Sequence, residues 1–453
     1  MRNLQIAAGV ALALAGVSAE AAFPTTAQCG APNNTLYIAG SSAAQNAFSN
    51  ALSTDLFGGQ LETFSASNGN FKVYCGFAAA GNTAGITANN VVAIHYRGEG
   101  GSVVGALPVV SGKAIKFIDL TAAGLPAGGV ASVAITTTGT SAAQGTTDGW
   151  GGPLTAHTVE VGITDVEPAR FTGLNYPSAY SVAAFGSANQ TQLSNLPKKA
   201  LFQQVFGLFV NTTGISTQGC TVGAAAGDCG QPGQAINIGS DAAANILNGN
   251  YTDWSNVPSY PTGAPVSSVA QAITLINREA GSGSRTGTSI YFGLNADCNP
   301  KAASVISDPN PANDGYATGD VLTTANATAG GITYASIDNN GSKPNLTMVS
   351  LNGVAPSNQT AAAGGYSWWY EATIIQGTIT SPGGAGIYGW LSGGELSSVA
   401  TGPHLADNNA IAFAAAANNP AVPLTSNTLG GKTIYVSNYS RVGNSCNGAV
   451  EQN

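Results

Sequence analysis

Residues 276–292 read INREAGSGSRTGTSIYF, which sets an arginine just ahead of a Gly-Ser-Gly-Ser turn. Gly281, Ser282, Gly283 and Ser284 can bring backbone N–H groups and hydroxyls close to an anion, and a helix starting at the turn adds the positive end of its dipole. Arg278 stands four residues before Ser282 and can fork onto two oxygens of one anion. Two other turns share the design: Ser41-Ser42 after the apolar run LYIA, and Gly98-Glu99-Gly100-Gly101-Ser102 after VVAIHY. The bland alternative is a set of ordinary serine caps, worth about 1 kcal/mol each. Asp165 closes the segment VEVGITD. A buried carboxylate beside an oxyanion is an acceptor that hydrogen phosphate satisfies with its proton and sulfate does not. Its other reading is a cap on the turn before Pro168.

The elements that must position these residues recur as strand, small-residue turn and helix. A strand over Leu36–Ala39 leads to a helix from about Ser42, and a strand at 91–96 leads through a turn at 98–101 to a helix from about Ser102. A third strand ends on Asp165, and LFQQVFGLFVN (201–211) is β-branched and aromatic enough for a buried strand. SDAAANILNGNY reads as a helix stopped at Gly249. The pattern predicts an α/β fold with a mainly parallel sheet, whose ligands sit beyond the carboxyl ends of the strands. Residues 112–158 depart from it, with β-type alternation and many turn residues, and read as an inserted hairpin or small sheet. The C-terminal stretch is rich in Gly, Asn and Ala, with one helix expected over Ala410–Ala417.

Composition narrows the function classes. Of 453 residues only 8% are charged, against roughly 25% in an ordinary soluble domain. Asn, Ser and Thr must cover the surface, which suits an exported protein. Net charge is −8 and the 14 basic residues are scattered, so nucleic acid is not an expected partner. One arginine precedes an apolar stretch from Ile6 to Val17, and Ala19-Glu20-Ala21 offers a cleavage site, so residues 1–22 read as a signal peptide. No other segment has the ~20 apolar residues of a membrane span. The 6 cysteines follow the signal, and an even count in an exported chain predicts disulfides. Cys220 with Cys229 closes a local loop; Cys29 with Cys75 and Cys298 with Cys446 follow from order alone, and other connectivities stay open. No CxxC pair exists and the 3 histidines are far apart, so no metal or other cofactor is expected. Neither a GxSxG elbow nor an HExxH helix is present, and no enzyme is expected.

Taken together, these motifs resemble those of the phosphate-specific substrate-binding proteins of bacterial ABC importers. NREAGSGSRTG is similar to their R-x-D-G-S-G-T signature, IAGSSAAQNAF to their opening turn, and YRGEGGSVVG to their Y-x-G-x-G-S-x-G-G turn. VGITDVEP resembles their G-A-S-D-x-P, AANILNGNYTDWSNV their helix ending in G-x-I-x-x-W, and AGGITYASID their P-G-A-I-G-Y, all in family order. The resemblance implies a periplasmic-binding-protein-like clamp of two α/β lobes joined by two crossing strands. One lobe would span 23–207 with 367–453, carrying a β-rich insertion at about 103–160, and the other 208–366. It implies inorganic phosphate as ligand, held without covalent chemistry and passed to an inner-membrane ABC permease from the periplasm. Carried over, Ser42 supplies a hydroxyl and N–H, Ala43 an N–H, Asp165 the acceptor, and Arg278, Ser282, Gly283 and Ser284 the remaining donors.

Departures stand beside the match. The second turn has Gly101 and then Ser102 where the family has Gly-Ser, so its hydroxyl is missing or comes from Ser102 after a one-residue shift. The aspartate that holds the family's arginine is here Ala280, and Arg285 is extra. An exposed, flat β insertion with few charges would be an edge for self-association. The alternative expectation is therefore a secreted or cell-surface structural protein built on the same fold.

Overall fold

The computed structural model describes residues 23–139, 148–216, 236–294, 306–308, 314–393, 411–413, 427–429, 432–437 and 439–451. The fold is α/β around one mixed sheet of 14 strands. At its middle the strand Asn34–Gly40 lies parallel to Val91–Arg97 on one side and to Val161–Thr164 on the other. Every residue of those two flanking strands is buried, as expected of parallel strands covered on both faces. All three therefore end at the same edge, where Ser41, the turn from Gly98, and Asp165 follow directly. The sheet becomes antiparallel outward, through Phe71–Phe77 and Glu62–Ala66 on one flank and Trp369–Gln376 on the other.

One long strand, Lys198–Asn211, links the two halves. Its first part pairs antiparallel with Trp369–Gln376, and from Phe206 onward it pairs with Gly331–Ser336. The strand thus changes partners along its length. The second half brings Thr274–Leu275 parallel to Gly331–Ser336, and a further parallel bridge joins Arg278 to Gly315. The helix Ser240–Leu247 is followed by Gly249 in the left-handed region, and the aromatic turn after it buries Trp254, whose indole N–H donates to the Gly330 carbonyl at 3.0 Å.

Three local readings change. The helix expected from Ser42 is Gln45–Ala51, because the Ser41 hydroxyl accepts the Ala44 N–H at 3.0 Å and leaves residues 42 and 43 in the turn. The stretch expected to be insertion from residue 103 begins as a one-turn 3-10 helix, Gly101–Gly105, and a short α-helix, Leu107–Ser111. Val103, Val104 and Leu107 are fully buried, so this piece belongs to the core and supports the second turn. The β part follows: Ile115–Ile118 pairs with Leu154–His157, and the three-residue strand Ser132–Ala134 forms one margin of the main sheet. Finally, the helix expected at Ala410–Ala417 is contradicted by a strand, Ile411–Phe413, parallel to Lys432–Ser437 and bridged to Gln203. The side of the long strand offers unmet backbone partners there, and such tertiary pairing overrides the helix preference of alanine.

Cys29 and Cys75 form a disulfide across 46 residues, and Cys446 is also disulfide-bonded. Cys220, Cys229 and Cys298 lie outside the described residues, as does the expected signal peptide. No helix among the described residues is long and apolar enough to cross a membrane.

Candidate functional site

The residues singled out from the sequence converge beyond the strand ends. Asp165 is 2% exposed. Its Oδ1 accepts the Ser41 hydroxyl, its Oδ2 accepts the Ser284 hydroxyl at 3.2 Å, and its own N–H donates to Ser102 Oγ at 2.9 Å. Burial pushes its carboxyl up, opposed by the Ser41 hydrogen bond and by the nearby Arg278 charge.

Arg278 is 1% exposed, and every contact of its guanidinium is with a neutral group. Nε donates to the Gly315 carbonyl at 3.1 Å, Nη2 to the Tyr316 carbonyl at 3.2 Å and Nη1 to Thr318 Oγ1 at 3.2 Å. No carboxylate among the described residues forms an ion pair with it. These carbonyls and the Thr318 hydroxyl hold the guanidinium in place. Burial weakens the hold of Arg278 on its proton, while Asp165 and Glu279 favour the charged form. Glu279 turns to Ser181, whose hydroxyl donates to it at 3.3 Å, and burial pushes its carboxyl well above the usual range. The extra Arg285 is structural: it donates to the Arg278 carbonyl and Asp314 at 2.8 Å each, and to Asp308 at 2.9 Å. It thereby ties down Asp308 and Asp314, just ahead of the Gly315 and Tyr316 acceptors.

The second turn is crowded at Gly101. Gly101 has φ +65°, and a Cβ there would stand 2.9 Å from Arg278 Nη2 and 3.2 Å from the Ser282 Cα. No side chain fits at 101 while the guanidinium keeps its place, and the hydroxyl present at this turn, that of Ser102, accepts the Asp165 N–H. Gly283 is required for the same reason: a Cβ would meet Ser102 Oγ at 2.3 Å and the Asp165 Cβ at 2.8 Å. Gly281 packs on Val103 and its carbonyl accepts the Val103 N–H at 3.0 Å. Ser282 caps the helix Gly283–Tyr291 by accepting the Arg285 N–H at 3.3 Å.

The backbone N–H groups of Ser42, Ala43, Ser102, Gly283 and Ser284 find no acceptor among the described residues. N–H groups of first turns lack intrahelical acceptors, and a cluster of them beside a buried cation marks a place that favours negative charge. Sequence reasoning missed Ser41 as a partner of Asp165, although it directly precedes Ser42. It also missed Thr318, which no motif marks, and the carbonyls of Gly315 and Tyr316, which no side chain announces.

No family model and no curated protein matches the chain. Among solved structures the chain is similar to a putative phosphate ABC transporter substrate-binding protein from Clostridium perfringens, at 13% identity over 78% of this chain and 92% of that one, with a TM-score of 0.40. It is also similar to an ABC-type phosphate transport receptor from Vibrio cholerae, at 16% identity over 48% of this chain and 68% of that one, TM-score 0.29. A phosphate binding protein from Stenotrophomonas maltophilia shows 14% identity over 49% and 65% of the two chains, TM-score 0.31. At these identities and TM-scores the likenesses say nothing about the ligand of this chain.

Proposed function

We propose that this protein is an exported binding protein that clamps inorganic phosphate, or a similar protonated oxyanion, between two lobes. One lobe comprises residues 23–207 with 367–453 and the other 208–366. The observation that carries the reading is Arg278: a fully buried guanidinium held only by neutral partners, with unpaired amide N–H groups around it. A buried cation without an ion-pair partner is costly, and an anion at this point would supply one.

In this reading Arg278 and the N–H groups of Ser42, Ala43, Ser102, Gly283 and Ser284 donate to the anion, as do the hydroxyls of Ser102 and Ser284. Asp165 does the opposite. It accepts the proton of the bound anion, exchanging one of its serine partners for the ligand, and so excludes anions that carry none. Binding involves no bond making, and delivery to an inner-membrane permease is the use proposed for it.

Equilibrium dialysis of the refolded protein with radiolabelled phosphate tests the reading. Wild type retains phosphate, and Arg278→Ala loses it while keeping the wild-type circular dichroism spectrum. Undiminished uptake by that variant would remove Arg278 from the site.

A further inference from the structure

Thr318 lies at a meeting point that the sequence motifs do not include. It opens the helix Thr318–Ala327, is 5% exposed, and has Ser42 on one side and Arg278 on the other. Its Oγ1 accepts Arg278 Nη1 at 3.2 Å and lies 3.0 Å from Ser42 Oγ, while its own N–H donates to Ser42 Oγ at 3.2 Å.

A proton count follows from these contacts. Each hydroxyl has a single proton to donate. Ser42 Oγ already accepts the Thr318 N–H, and Thr318 Oγ1 already accepts the Arg278 N–H. The contact between the two oxygens consumes one of their protons, whichever residue donates it. The other proton has no acceptor among the described residues. What the pair lacks is an acceptor, and it lacks it next to a buried guanidinium and the unpaired N–H groups of Ser42 and Ala43.

We propose that Thr318 is a further ligand-binding residue, which with Ser42 presents one hydroxyl donor to a tetrahedral inorganic oxyanion. The inference rests on the oxyanion reading of the site. It adds that the donor is shared between the first turn and the second half of the molecule, so that anion binding and the contact between the halves reinforce one another.

The test measures inorganic phosphate affinity and the phosphate-induced rise in thermal midpoint for wild type, Thr318→Val and Thr318→Ser. Thr318→Val keeps the shape of the side chain and removes the hydroxyl. It should weaken phosphate binding about tenfold or more, as for loss of a hydrogen bond to a charged ligand. Thr318→Ser keeps the hydroxyl and should bind within about threefold of wild type on the same scale. Ligand stabilisation follows affinity, so the phosphate-induced rise should shrink in the valine variant. A merely structural hydroxyl would lower the phosphate-free midpoint and leave that rise intact, which would overturn the proposal. Because the valine variant strands an Arg278 donor, Ser42→Ala supplies an independent arm: its loss and that of Thr318→Val should combine to less than their sum. Fully additive losses would overturn the shared donor. Wild-type affinity in Thr318→Val would overturn the inference and leave the site reading in place. Failure of wild type itself to bind phosphate would overturn both.

Discussion

Ser102 accepts the amide N–H of Asp165 at 2.9 Å, while the Arg278 Nη2 occupies the space a side chain at the preceding Gly101 would need. Introducing a serine by Gly101→Ser should therefore harm the protein. The strained backbone at φ +65° and the 2.9 Å collision should cost about 1–3 kcal/mol of stability, read as a lower thermal midpoint, and phosphate affinity should fall with it. Tighter phosphate binding in Gly101→Ser would show that position 101, not 102, carries the hydroxyl.

Asp165 is placed to accept and not to donate. Asp165→Asn keeps the size and introduces donors, so an anion without a proton becomes acceptable. On this account the variant should bind sulfate, which the proposed site excludes, while its phosphate affinity weakens. Competition dialysis of sulfate against labelled phosphate measures the change. Unaltered discrimination would place selectivity elsewhere.

Asp314 gives a pH dependence of stability. Burial, the largest cause, pushes its carboxyl from 3.8 up to about 7, with Asp308 adding to the rise and Arg285 opposing it. The folded state thus holds a proton that the unfolded chain releases. The resulting stabilisation is present below the ordinary aspartate range and is lost as pH rises through about 7. Asp314→Asn should flatten this part of the thermal-midpoint profile between about pH 4 and pH 7. An unchanged slope would contradict the assignment.

His95 works in the opposite direction. It stacks on Tyr37 with ring centroids 4.6 Å apart, and burial, assisted by His157, lowers it from 6.5 to about 3. Its neutral form is the folded one, so the stability it supports is present above pH 6.5 and is lost as pH falls toward 3. His95→Phe keeps a ring against Tyr37 and should reduce the acid sensitivity of the thermal midpoint over that window. Equal acid sensitivity in wild type and variant would assign the loss to other groups.

Much of the α/β organisation was legible in the sequence because apolar strands followed by small-residue turns carry a strong local signal. The three central strands, Asp165 at the end of the third, and Arg278 beside its glycine turn were all readable in this way. The rest depends on groups with no local signature. Nothing in the residue types at 315 and 316 tells that their carbonyls hold Arg278. The choice between Gly101 and Ser102 needs the position of Arg278, which comes from the other half of the chain. Thr318 meets Ser42 across 276 residues. At Ile411–Phe413 an alanine-rich surround suggested a helix, whereas pairing with a distant strand decides the outcome.

The central claim is that Arg278 and the turns around it hold a protonated oxyanion. Calorimetric titration of the refolded protein, stripped of carried-over ligand, with phosphate and separately with sulfate tests it most directly. The account expects phosphate binding at micromolar affinity or tighter and no heat of binding with sulfate. Absence of any phosphate binding would contradict it.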